Sequence, residues 1–213
     1  MEDINAAGSR SDSSPPLGSG RGVTLHAPAE AHAALRQCLG AGLEAPDIEA
    51  ALGCVTGLVV NLLGDHQAHL KPGALKGEER QFSVSGVFMV SADGSQNVLI
   101  AERNFPPEQH RLAVESGHAH PGQVVRTGKS LLLENTDDDI SFRQILKTSR
   151  MGSAIYAPMM WQGRVLGQLV CGAQARNTYR PLDLEILESF ADVATLTWLG
   201  FNGPRDLAAI LAG

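Results

Sequence analysis

Ser153-Ala-Ile-Tyr-Ala-Pro-Met-Met-Trp161 and Arg164-Val-Leu-Gly-Gln-Leu-Val-Cys-Gly-Ala-Gln174 are two apolar, β-prone runs separated only by Gln162-Gly163. A two-residue connection is the length of a tight antiparallel hairpin, and Gly163 accepts the positive φ that such turns demand. Immediately downstream the period changes. Between Pro181 and Leu199, the residues Leu182, Ile186, Phe190, Val193 and Thr197 fall on one helical stripe, widened by Leu187, Ala194 and Trp198. Pro181 suits a first helical turn, and Asp183 and Glu185 complement the positive end of the helix dipole. A strand pair running directly into a long amphipathic helix sets the frame for the rest of the chain.

Working outward, Phe82 to Val90, a turn at Ala92-Asp93-Gly94-Ser95 and Val98-Leu99-Ile100 predict an earlier hairpin. Two helices precede it. The first carries Ala31, Leu35, Cys38, Leu39 and Gly42 at helical spacing; the second carries Ile48, Leu52, Val55, Leu58, Val59 and Leu62, with Pro46 at its start. Between the hairpins lie a Gly-punctuated stretch with a helical piece at Gly122 to Thr127 and a short buried strand at Ser130 to Glu134. A polar segment, Asp137 to Lys147, then reads as a loop entering a short helix. Residues 1–26 read as a Gly/Ser/Pro-rich flexible tail, 27–200 as the folded domain, and 201–213 as a short tail with a helix at Asp206 to Leu211. The order of elements predicts an α+β fold. One antiparallel sheet carries the N- and C-terminal helices on one face, and a loop and short-helix lid over a pocket on the other.

Composition narrows the function classes. The 213 residues are 43% hydrophobic, enough for a core, and carry 17 Lys plus Arg against 23 Asp plus Glu, a formal charge of −6. Attraction to nucleic acid or to anionic lipid needs positive surface, so neither is an expected partner. No run approaches the roughly 20 apolar residues of a membrane span. The start, Met1-Glu2-Asp3-Ile4-Asn5, lacks the basic and apolar regions of a secretory signal. Three widely spaced cysteines (Cys38, Cys54, Cys171) make neither a disulfide framework nor a CxxC motif, so a reducing cytoplasm is expected.

Taken in order, several segments resemble the GAF family of small-molecule sensor domains. They are Gly122-Gln-Val-Val-Arg-Thr-Gly128, Ser130-Leu-Leu-Leu-Glu-Asn135, Phe142, Gly152-Ser153, Ala157-Pro158-Met159, Gly163-Arg-Val-Leu-Gly167-Gln-Leu, and Tyr179-Arg-Pro-Leu-Asp-Leu184. The resemblance assigns them to a pocket helix, a central strand, a variable loop, the central hairpin and the closing helix. Two departures stand out: Arg180 occupies a position where a small polar cap is common, and the polar insertion around Asp65 to Gln81 is unusual. The resemblance implies a non-catalytic domain that binds a metabolite or anion between sheet and lid. Such a domain regulates a separate signalling or transcription partner and pairs with a second copy through its terminal helices. It also admits a small thiol- or metal-dependent enzyme of GAF type, for example one resembling the free methionine sulfoxide reductases, or a scaffold without a ligand.

Side-chain chemistry and family analogy select His118, His120, Arg126, Phe142, Arg143, Tyr156, Met159 and Cys171 as ligand-binding candidates. In an extended segment His118 and His120 point the same way, suited to a ligand contact, a metal or a loop hydrogen bond. Arg126, Lys129, Arg143 and Arg150 offer charge-assisted bonds to an anion, against an ordinary surface role. Cys171 alternates with Val165, Leu169 and Ala173, the pattern of a packed core thiol, although it alone among the cysteines can approach a pocket. Asp137-Asp138-Asp139 reads as a solvated loop or a weak Ca²⁺ site. His66 and His69 read as a solvated helix end. No bilin attachment is expected, because no cysteine has a neighbouring histidine; no catalytic residue and no metal are assigned, and the cofactor is unknown.

Overall fold

A computed structural model describes residues 28–117, 119–139 and 151–212. The tail expected at 1–26 and the helix expected beyond residue 139 lie outside them. Helices α1 (Pro28–Glu44) and α2 (Ile48–Leu62) form a hairpin with a three-residue connection. Asp47 caps α2, its carboxylate accepting from the Ala50 amide at 2.8 Å, so the helix begins one residue after the cap rather than at Pro46. Strands β1 (Ser83–Val90) and β2 (Gln96–Arg103) follow, then the short edge strand β3 (Ala113–Glu115) and helix α3 (Ala119–Thr127). The chain continues through β4 (Leu131–Leu133), β5 (Ser153–Trp161) and β6 (Arg164–Ala173) to α4 (Pro181–Gly200) and α5 (Gly203–Ala212).

All neighbouring strands pair antiparallel, in the order β3-β2-β1-β6-β5-β4. The β5–β6 hairpin closes through Gln162 and Gly163, both at positive φ (49° and 77°), as a mirror-image turn that follows strand twist. The fold is the expected α+β arrangement. Two details differ from the sequence reading. Strand β3 is an unforeseen edge, too short to give a periodic signal. Helix α3 starts at Ala119, not Gly122, so His120 stands in its first turn and the extended geometry expected there does not hold.

The strand period of two sorts side chains between the faces. Val87 and Met89, Val98 and Ile100, Ile155, Ala157 and Met159, and Leu169, Cys171 and Ala173 join Leu52, Val55, Val59, Leu187, Phe190, Ala194 and Trp198 in one core against α1, α2 and α4. On α1 the inward residues are Ala31, Ala34 and Cys38; Leu39, expected on that stripe, is 49% exposed. The opposite face carries a smaller apolar group of Phe88, Leu99, Ala154, Tyr156 and Val170, covered by Val124 of α3 and Leu133 of β4. Asp183 fastens the start of α4 to the end of α2. One carboxylate oxygen accepts from the Gly64 amide and the other from the Arg180 amide, both at 2.8 Å. The N3 acid thus does the capping that Arg180 was not expected to provide.

Truncating Phe190, fully buried between α4 and the sheet, should lower unfolding free energy by about 3–5 kcal/mol in urea titration, whereas Leu196→Ala on the exposed side of the same helix should change it by under ~0.5 kcal/mol.

Candidate functional site

The face away from the long helices holds a group of polar side chains that a purely structural face has little use for. Register places Asn97 of β2, Gln168 of β6 and Tyr156 of β5 on this side with Phe88 and Leu99. Helix α3 lies across them. The chain entering α3 folds back on the helix so tightly that a Cβ on Gly122 would stand 2.5 Å from the Ser116 carbonyl oxygen, which only glycine allows. Gln168 Nε2 donates to the Pro121 carbonyl at 3.3 Å, tying the start of α3 to the sheet.

His120, with its side chain 3% exposed, stands 2.9 Å from Asp139 through Nε2 and stacks on Tyr156 at a centroid distance of 6.4 Å and an interplanar angle of 28°. That separation lies within the range of favourable aromatic pairs. Burial pushes the Tyr156 phenol above its ordinary value, so it stays a neutral donor. The carboxylate, the imidazole and the phenol ring form one stack from the lid's base to the sheet.

Several buried polar atoms have no protein partner among the described residues: both amide atoms of Asn97 and Oε1 of Gln168, on this same face of the sheet, and Oγ of Ser116. Asn97 and Gln168 are wholly buried. A buried amide left unpaired costs about 1–3 kcal/mol, so a bound molecule or water that met these groups would recover that cost.

The loop that begins at Thr136 is gripped on both sides. The Thr136 amide donates to Gly152 O at 2.9 Å, and its hydroxyl donates to Met151 O, closing the base of segment 137–150. Asp137, expected in a solvated loop, instead accepts from Arg176 Nε at 2.9 Å and from Lys76 Nζ. Arg176, with its side chain 4% exposed, also forks onto both oxygens of Glu79 and donates to the Ala74 carbonyl at 3.3 Å. The Lys76 and then the Arg176 contacts hold the Asp137 carboxyl down to about 2, and the Arg176 hydrogen bonds also hold Glu79 below its ordinary value. The polar insertion before β1 thereby becomes the anchor for the lid's first residues.

The candidates chosen from sequence fall into four groups. His120 and Tyr156 meet on the lid face. Arg126 belongs to α3 but is exposed, its guanidinium reaching the Gly117 carbonyl at 3.4 Å. Met159 and Cys171 stand on the other face, fully buried against the long helices, and burial pushes the Cys171 thiol up to about 12. Strand parity is the reason, because Tyr156 and Met159 differ by an odd number of residues and must point oppositely. His118, Phe142 and Arg143 lie outside the described residues. Sequence reasoning missed Asn97, Gln168, Asp139 and Arg176. Gln168 had a signal, being polar in an apolar strand and opposite in parity to Cys171. No group of three His, Cys, Asp or Glu residues suited to a metal occurs among the described residues.

The family model for the GAF domain matches residues 78–198, more than half of the chain. This protein belongs to the GAF family, whose fold is a ligand-binding sensor fold. Solved structures agree on the fold. The GAF domain of a phosphoenolpyruvate-protein phosphotransferase from Coxiella burnetii superposes with a TM-score of 0.67 at 16% identity, covering 84% of this chain and 98% of that one. The corresponding Acinetobacter domain gives 0.64 at 14%, covering 81% and 94%. A free methionine-R-sulfoxide reductase from Neisseria meningitidis gives 0.59 at 17%, covering 83% and 91%. A search of curated proteins finds no match.

The Asp137 carboxylate is held below its unfolded value near 4, so it stabilises the fold fully above that pH and loses the contribution as pH falls toward 2. The stability gap between wild type and Asp137→Asn should therefore be largest above pH 5 and close toward pH 2, measured by chemical denaturation across that range.

Proposed function

We propose that this GAF domain is a non-catalytic sensor that binds a small molecule between the lid face of the sheet and helix α3, and that occupancy alters a regulatory partner. The observation that carries the reading is the set of buried polar groups on that side of the sheet: the His120–Asp139 pair stacked on Tyr156, and, on the same face, the unpaired Asn97 amide and the unpaired Gln168 Oε1. Ligand pockets combine an apolar wall with a few convergent polar groups, and this face supplies both. His120, Tyr156, Asn97 and Gln168 are the contacts proposed. Arg126, directed outward, is left a surface role, and Met159 and Cys171 a packing role.

Asp139 connects ligand to signal. It begins the lid and bonds His120, so a molecule that reorders the stack changes the lid's attachment, and differential affinity for the two arrangements shifts their populations. The output surface is proposed to lie on the terminal helices, with a second copy as partner. There Leu39 and Leu43 of α1 and Leu196 of α4 are 49%, 88% and 57% exposed, and Gly42 of α1 touches Thr197 of α4. A cytoplasmic setting is proposed with this role; among the described residues no helix is long and apolar enough to cross a membrane.

The reductase alternative requires a thiol at the site. All three cysteines lie elsewhere: Cys38 and Cys54 on the helix hairpin, and Cys171 in the helix-side core with its thiol protonated at neutral pH. This placement favours binding over thiol redox chemistry at the lid face.

Native mass spectrometry of gently purified protein, followed by thermal-shift screening of amino acids, carboxylates and nucleosides, tests the reading. A molecule that raises Tm should lose at least tenfold in affinity with Gln168→Leu and with Asn97→Leu, while Arg126→Gln binds it unchanged. Ligands insensitive to both amide variants, or turnover of free methionine sulfoxide with dithiothreitol, would overturn it.

A further inference from the structure

The α1–α2 hairpin sets two cysteines against each other. Cys38 lies six residues before the end of α1 and Cys54 six residues after the start of α2, so the short antiparallel connection brings them to the same height. The two helices pack on one another, and Ala34 and Cys38 of α1 are buried in the same core as Leu52 and Val55 of α2. Cys38 is 1% exposed within the main core, and Cys54 is half-buried beside it. Burial and then the neighbouring Cys54 thiol push the Cys38 thiol up to about 12. Cys171 is buried among sheet residues on a different element.

We propose that Cys38 and Cys54 are an oxidative modification site that closes into a reversible intramolecular disulfide when the protein meets a hydroperoxide. Cys54, the accessible member, attacks as thiolate. Its sulfur bonds one peroxide oxygen, the O–O bond breaks, and the products are a Cys54 sulfenic acid and hydroxide, neutralised by the proton Cys54 gave up. Cys38 then attacks the Cys54 sulfur and expels hydroxide, which takes the Cys38 proton and leaves as water. Two thiols and one hydrogen peroxide thus give one disulfide and two waters. The high value at Cys38 fits this order, since the buried thiol keeps its proton until a sulfenic acid stands beside it.

The bridge would staple the outermost helix to the layer beneath it. Helix α1 also packs on α4, so the modification reaches the terminal helices without involving the lid face. It stands independently of the ligand reading.

The test uses the reduced full chain treated with hydrogen peroxide, then denatured, alkylated with N-ethylmaleimide and weighed. The expected result is one label in place of three, located on Cys171, with Cys38 and Cys54 recovered as one cross-linked pair and three labels restored by dithiothreitol. Cys171→Ser should still form the bridge, and Cys54→Ser, checked for wild-type circular dichroism, should not. Oxidation should raise Tm by roughly 5–10 °C in wild type and leave Cys54→Ser unmoved. Three labels after treatment, a bridge that uses Cys171, or Cys54 oxidised beyond sulfenic acid while Cys38 remains alkylatable would each refute the proposal.

Discussion

The central strands β1, β6 and β5 are buried on both faces, and the rest of the molecule answers to that constraint. A two-sided sheet needs two covers. The long helices α1, α2 and α4 cover one face with a continuous apolar core. Among the described residues, the other is covered by the nine-residue helix α3 and by loops. Among the described residues the second cover is thinner than the first, with a smaller apolar group beneath it.

Ionic contacts do on the thin side what apolar packing does on the thick one. Arg176 gathers the Ala74 carbonyl, Glu79 and Asp137, while Asp139, two residues further, reaches His120. A buried guanidinium is tolerated only when its donors are met, and here the network fixes Asp137 at the start of the segment after β4. The insertion before β1 is thereby explained as a brace. It lies far from the lid in sequence and beside it in space.

Much of the architecture was legible from the chain. The hairpin of Gln162-Gly163, the stripe from Leu182 to Trp198 and the run from Ile48 to Leu62 each declare their element through a local period. Strand β3 and the first turn of α3 did not, because three residues cannot display a period and Ala119-His120-Pro121 carries no strong helix signal. Of the residues that side-chain type singles out, His120 and Tyr156 meet on the α3 side, while strand parity puts Met159 and Cys171 on the helix side.

The sequence by itself determined the family, the number of layers and which residues are apolar enough to form the core, because these follow from composition and from periods of 2 and 3.6. The tertiary structure decided which polar residues meet. Asp139 with His120, Arg176 with Glu79 and Asp137, and Cys38 with Cys54 are joined by strand order, by loop paths and by the reversal of a helix hairpin. No pattern within a short window encodes such pairings. They exist only once distant segments have been brought to the same place.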